Sequence, residues 1–208
     1  MTYINKLIEA HEELAPLKGN IEAALQMIID TYKNGGKILI FGNGGSAADS
    51  EHISGELLKG FMEYRTPEGE EYEALADALT PEEAKMLQRG IPAVPLTSLS
   101  ASLSAFANDV NPELVFAQLV FALGKPCDMA ICLSTSGNSK NVVKGARVAK
   151  ARGIKTLALT GSRDSALSDI CDVTVKAPAC ETYKIQEYHL PIYHALCADA
   201  ERILFTNK

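Results

Sequence analysis

Residues 37–56 read K-I-L-I-F-G-N-G-G-S-A-A-D-S-E-H-I-S-G-E, and this stretch decides the fold class. A short apolar run, Ile38 to Phe41, ends in a glycine-rich turn and passes into a segment with helical patterning. Strand, glycine-rich turn and helix in that order aim backbone N–H groups and a helix N-terminus at whatever occupies the turn. Such a place favours anions, phosphate above all. His52 and Glu56, four residues apart on the helix, share a face and set an imidazole beside a carboxylate.

Outward from this unit the pattern repeats. Four further apolar runs, at about 93–96, 129–133, 156–159 and 173–175, read as buried strands. Helical stretches lie between them, including 138–152 and 181–204. Strands alternating with helices predict a mostly parallel α/β sheet covered on both faces. Residues 3–34 are helical in pattern, interrupted at Pro16 and Gly19 and stopped by Asn34-Gly35-Gly36. This N-terminal segment and the long last helix are both apolar on one face, beyond what the sheet needs. They are expected to pack together and against copies of themselves as an oligomeric bundle.

Residues 62–90 differ in character: acidic, poor in strand formers, interrupted by Pro67 and Gly69. They read as a helical insertion in one domain spanning 1–208. Thr80-Pro81-Glu82-Glu83 starts a helix with a capping box, and Gly90 is expected to end it. The whole chain has 208 residues, 47% hydrophobic and 22% charged, with a net charge of −6. That charge argues against a nucleic-acid partner. No apolar run approaches the roughly 18 residues of a membrane span, and the N-terminus lacks a signal peptide's apolar core. Five cysteines without a C-x-x-C pair read neither as a disulfide framework nor as a thiolate zinc site. Together these features point to a cytoplasmic protein.

A second loop, Leu133-Ser-Thr-Ser-Gly-Asn-Ser139, follows a strand and precedes a helix. Its hydroxyls suit a phosphate, and ligands of open α/β sheets sit beyond the carboxyl ends of the strands. The plainer reading is that Ser136, Asn138 and Ser139 cap the helix. On the last helix, Gln186 and His194 fall near one face with Tyr193 beside it, and Pro191 predicts a kink or a late start. His189 and His11 receive no role. Gly42, Gly44 and Ala47 also satisfy the dinucleotide fingerprint G-x-G-x-x-A, but the second strand with its acidic terminus does not follow at the required distance.

G-N-G-G-S-A with H-x-x-x-E, F-A-N-D at 106–109, S-T-S-G-N-S at 134–139 and I-Q-E-x-H at 185–189 with His194 resemble the SIS-domain phosphosugar isomerases, the phosphoheptose isomerases most closely. The resemblance spans the chain except residues 62–90. It implies a five-stranded parallel sheet of flavodoxin-like type, in homotetramers whose active sites draw on neighbouring subunits. It implies that Ser134, Thr135, Ser136 and Ser139 hold phosphate, while Asn43, Gly44, Gly45, Ser46, Asn108, Asp109 and Gln186 contact the sugar. By the same resemblance, His52, Glu56, Gln186 and His194 bind one zinc ion per subunit, with Glu56 and His194 as the acid/base pair.

The implied reaction interconverts sedoheptulose 7-phosphate and a heptose 7-phosphate. Two features depart from the resemblance: the 62–90 segment, and Thr97-Ser98-Leu99-Ser100, where an acidic residue is expected. The alternatives are a non-catalytic phosphosugar-binding or DnaA-binding relative, or an isomerase of another sugar phosphate. The presence of both Glu56 and His194 favours an enzyme.

Overall fold

Strand segments that are apolar without alternation need cover on both faces. A computed structural model of the chain, describing residues 1–206, provides it. The strands β1 (Ile38–Phe41), β2 (Ala93–Pro95), β3 (Met129–Leu133), β4 (Lys155–Thr160) and β5 (Val173–Lys176) form one sheet in the order β2-β1-β3-β4-β5. Every pairing is parallel. This is the flavodoxin-like order, which reverses direction between β1 and β3 and opens a crevice there. Pro95, which lacks an N–H, is tolerated because β2 is an edge strand.

Successive strand residues point to opposite faces and divide the core in two. Ile38, Ile40, Met129, Ile131, Leu157 and Leu159 pack under α1 (Tyr3–Ala10), α2 (Lys18–Lys33), α3 (Gly45–Leu58) and the C-terminal helix (Thr182–Glu201). Leu39, Phe41, Ala130, Cys132 and Ala158 face the other way. In the segment 62–90 lie α4 (Glu70–Ala78) and α5 (Pro81–Met86), and α6 (Ser100–Asp109) follows β2. On the second face α7 (Val115–Leu123), α8 (Lys140–Ala151) and the short α9 (Ala166–Ile170) complete the layer, leaving α10 for Thr182–Glu201. Small strand residues on that side let α8 approach closely, and Gly145 lies against the Phe41 ring.

Three local expectations are corrected. The helix begun by the Thr80 capping box, which forms in full, ends at Met86 rather than Gly90. The backbone at Leu87 is already extended, and Gly90 packs against the Leu58 backbone, where a Cβ would collide. Pro191 does not delay α10, which starts at Thr182 and runs through it for 20 residues. The carbonyl deprived of a partner belongs to exposed Glu187, and buried Ile192, Tyr193 and Leu196 hold the next turns against the core. The regular helix ends at Glu201, a turn before 204, and a π-helical turn covers Arg202–Thr206.

At the C-terminal end of α10 the buried Glu201 carboxylate clamps the start of the 62–90 segment. It accepts the N–H groups of Phe61, Met62 and Glu63 (2.7–3.1 Å) and the Arg65 Nε at 2.7 Å. Arg65 also donates to the Leu57 carbonyl at 2.6 Å. Neither side chain of this ion pair is more than 1% exposed, so its stability depends on these fixed donors rather than on solvent.

Candidate active site

Two loops meet at the crevice between β1 and β3. After β1 the chain turns at Gly44, whose φ of +57° is costly for any residue with a side chain. Gly44 leads directly into α3, and Gly45 lies beneath the Gln186 carboxamide, which a Cβ at this position would displace. Asn43 is held by a pair of reciprocal amide bonds to Asn141 of α8, both 2.9 Å. This partner was not apparent from sequence, because 98 residues separate the two.

After β3, Ser134 is buried and donates to the Ser139 hydroxyl at 3.1 Å. Ser139 stands at the N-cap of α8, yet its side chain makes no capping bond. Ser136 accepts the Asn138 N–H at 3.2 Å, and Asn138 secures the loop to α9 by accepting the Ala166 N–H at 3.0 Å. Helix capping therefore does not account for the Ser134 and Ser139 hydroxyls, which remain turned into the crevice.

Asn43, Gly44, Gly45, Ser46, Ser134, Thr135, Ser139 and Gln186 line one cavity of about 300 Å³, together with Thr182 at the start of α10. Ser136 opens instead onto an adjoining cavity that shares Thr135 and Thr182. Asn108 and Asp109 lie exposed at the end of α6, bonded to each other at 2.8 Å, and line neither cavity within one chain. Among the described residues, no lysine or arginine lines this cavity. An anion there would be held by hydroxyls, loop N–H groups and the N-terminal dipoles of α3, α8 and α10.

A second cluster lies farther along α3. His52 Nε2 stands 3.1 Å from Glu56 Oε1, and His194 Nε2 of α10 lies 3.4 Å from His52 Nε2. One ligand atom from each of the three comes within 4.8 Å of the others. Two nitrogens bound at about 2.05 Å to a tetrahedral zinc would be about 3.3 Å apart, so the imidazole pair already has the spacing of two ligands. Burial, reinforced by His52, holds the His194 imidazole below its ordinary value, with Glu56 opposing. A neutral nitrogen with a free lone pair is the form a metal requires. Gln186, assigned by resemblance to both sugar and metal, has its carboxamide against Gly45 in the cradle.

The surroundings of this cluster supply residues with no sequence assignment. The Tyr193 hydroxyl lies 3.0 Å from His52 Nδ1 and 3.3 Å from Asp49 Oδ1, and the Phe61 ring is 5.4 Å from that of His194. Asp49 lies one turn before His52, the only sequence signal for it. His189, on a different face of α10, is buried with Nε2 at 3.2 Å from the Thr160 carbonyl, which makes it a core residue.

Comparison with known proteins agrees with this geometry. SIS-domain models match residues 2–89 and 85–196. The phosphoheptose isomerase of Aneurinibacillus thermoaerophilus is 37% identical over 99% of this chain and 90% of its own. The chain belongs to the phosphoheptose isomerase family of SIS-domain proteins. The phosphoheptose isomerase of Campylobacter concisus is 35% identical over 94% of each chain. The solved phosphoheptose isomerase of Neisseria gonorrhoeae superposes with a TM-score of 0.74 at 30% identity, covering 95% of this chain and 94% of that one. For the Francisella tularensis phosphoheptose isomerase the TM-score is 0.74 at 28% identity, with 96% and 95% covered. Family membership makes this chain an isomerase.

Proposed function

We propose that this isomerase interconverts sedoheptulose 7-phosphate and D-glycero-D-manno-heptose 7-phosphate. The observation that carries the reading is the pairing of a phosphate-suited cradle with the His52–Glu56–His194 cluster along the same helix, α3. A long phosphorylated sugar needs both: an anchor for the phosphate and polar chemistry at the other end. The names of the relatives support the choice of sugar.

In this reading Ser134, Thr135, Ser136 and Ser139 hold the phosphate, and Asn43, Gly44, Gly45, Ser46 and Gln186 orient the sugar hydroxyls. Moving a proton between C1 and C2 requires one group to take it from carbon and another to exchange a proton with oxygen. Glu56 and His194 are assigned these parts, with Glu56 the base and His194 the oxygen-side acid. Zinc, held by His52, Glu56, His194 and Gln186, would supply Lewis-acid stabilisation of the charge that develops on oxygen. A His194 that held the metal through Nε2 could not exchange a proton at that nitrogen, so its ligand and acid roles trade off.

The assembly belongs to the same proposal: a cytoplasmic homotetramer of single-domain subunits, with 62–90 as an insertion and Asn108 and Asp109 contributed across a subunit boundary. Both residues are exposed and neither lines the cradle, which fits delivery to a neighbour. All five cysteines are free thiols, which fits a reducing compartment. Among the described residues no helix is long and apolar enough to cross a membrane.

The test is turnover of sedoheptulose 7-phosphate by purified protein, followed by NMR, with zinc and after chelation. Conversion to a heptose 7-phosphate, lost on chelation and restored by zinc, is the expected result. Failure of the zinc-loaded tetramer to convert it overturns the choice of sugar. Conversion that is indifferent to a chelator overturns the metal.

A further inference from the structure

We infer that Tyr193 is a positioning residue for the isomerase reaction: with Asp49 it forms a relay that fixes the tautomer of His52 and aims its Nε2 lone pair at the metal position. The inference rests on the proposed reading of His52 as a metal ligand.

The argument is one of donors and acceptors. The Tyr193 hydroxyl has a single proton and two polar neighbours, Asp49 Oδ1 at 3.3 Å and His52 Nδ1 at 3.0 Å. A carboxylate only accepts, so the phenolic proton goes to Asp49. The phenol oxygen is then left as acceptor, and the shorter contact is satisfied when Nδ1 carries the ring hydrogen. In a neutral imidazole that leaves Nε2 unprotonated, facing Glu56 Oε1 at 3.1 Å and His194 Nε2 at 3.4 Å. Lone pairs converging at these distances repel one another unless a cation or a proton lies between them. The relay thus prepares this nitrogen for a cation.

The remaining contacts agree. Tyr193 is 2% exposed and meets the His52 ring edge-on at 5.4 Å, so the hydroxyl has little freedom to turn elsewhere. The second Asp49 oxygen is buried without a hydrogen-bond partner. The carboxylate therefore sits in a poorly solvated place where, among the described residues, its one side-chain hydrogen bond is to Tyr193. A negative charge kept there at a cost is best compensated by positive charge developing on His52, which happens when His52 ligates a cation. Carboxylates and hydroxyls behind metal-bound histidines act in this manner elsewhere, and their loss typically lowers metal affinity about 10–100-fold.

The experiment compares wild type with Tyr193→Phe, which keeps the ring and removes only the hydroxyl, and with Asp49→Asn. Zinc affinity is measured by chelator competition, the His52 side-chain nitrogens by 15N NMR of the zinc-free protein, and kcat and KM separately. For Tyr193→Phe we expect a zinc dissociation constant raised about 10–100-fold, a His52 Nδ1 resonance moved from the protonated toward the unprotonated range, and a lower kcat with KM nearly unchanged. Asp49→Asn should weaken zinc in the same direction. Excess zinc should restore much of the kcat of Tyr193→Phe, which a general packing defect would not permit. Wild-type zinc affinity and unchanged His52 nitrogens in Tyr193→Phe would overturn the relay while leaving the proposed function standing. Wild-type protein that binds no zinc would overturn the metal assignment and the relay together.

Discussion

Glu56 and His194 come from helices 138 residues apart in sequence, and each is close to His52. Their side chains are partly exposed, which leaves them open to a substrate, and burial lowers the His194 imidazole below its ordinary value. In the roles proposed for them, replacing either by Ala removes a proton-transfer group, a loss that typically costs 10²–10⁴-fold in rate. The expected outcome for Glu56→Ala or His194→Ala is kcat reduced at least about 100-fold with the oligomer intact, measured by turnover and light scattering. Retained turnover would reject the assigned roles. Tyr193 differs in kind: it acts on this chemistry only through His52.

Helix α10 joins the two cores of function and stability. Its first turn lines the cradle, its middle carries Tyr193 and His194, and its end holds Glu201 in the clamp on residues 61–65. Removing Glu201 would leave Arg65 buried without its partner and three N–H groups without their acceptor. Loss of one partner of a buried pair costs about 3–5 kcal/mol. Glu201→Ala should therefore be destabilised by that amount in denaturant melts and should lose hydrogen-exchange protection at 61–63 first.

His189, on the same helix, gives the element a pH dependence. Burial pushes its imidazole down to about 4, opposed by the bond to Thr160. The unfolded chain takes up this proton near the ordinary value of about 6.5 and the folded chain only near 4, so the unfolded state binds more protons in between. Stability is then full above pH 6.5 and is lost as pH falls toward 4. The loss is on the order of 3 kcal/mol at most. In His189→Gln the melting temperature should show a flatter slope over that window, and an equal slope would exclude this histidine as the cause.

At the scale of the molecule, what stands out is apolar and functional surface that one chain leaves uncovered. No residue of α6 is buried, although Leu103 and Phe106 pack partly on the second core. An apolar groove of about 310 Å³ runs between α1 and α10, past Phe61, Met62 and Pro191, and reaches His194. The proposed tetramer would cover such surface close to the site. Light scattering should give about four times the 22.4 kDa chain mass. Dissociation by Met62→Glu, an exposed residue of the groove, should lower turnover even with His52, Glu56 and His194 untouched. A fully active monomer would reject shared sites.

The α/β class, the five strands to within about two residues and the two strand-to-helix loops were legible in the residues alone, because each is encoded locally. Apolar runs, glycine turns and hydroxyl-rich caps act over a few residues, and H-x-x-x-E fixes a shared helix face by spacing alone. Pro191 was misleading because its local penalty is outweighed by the packing of Ile192, Tyr193 and Leu196, which no local pattern reports. Gly90 was misleading for a related reason: it serves a close approach to Leu58 and not a helix end. The strand order that puts the loops after β1 and β3 side by side, the approach of His194 to His52, and the Tyr193–Asp49 and Asn43–Asn141 partnerships emerge only once the chain is folded. Those depend on how α3, α8 and α10 cross the sheet, which the burial of two apolar faces sets for the chain as a whole.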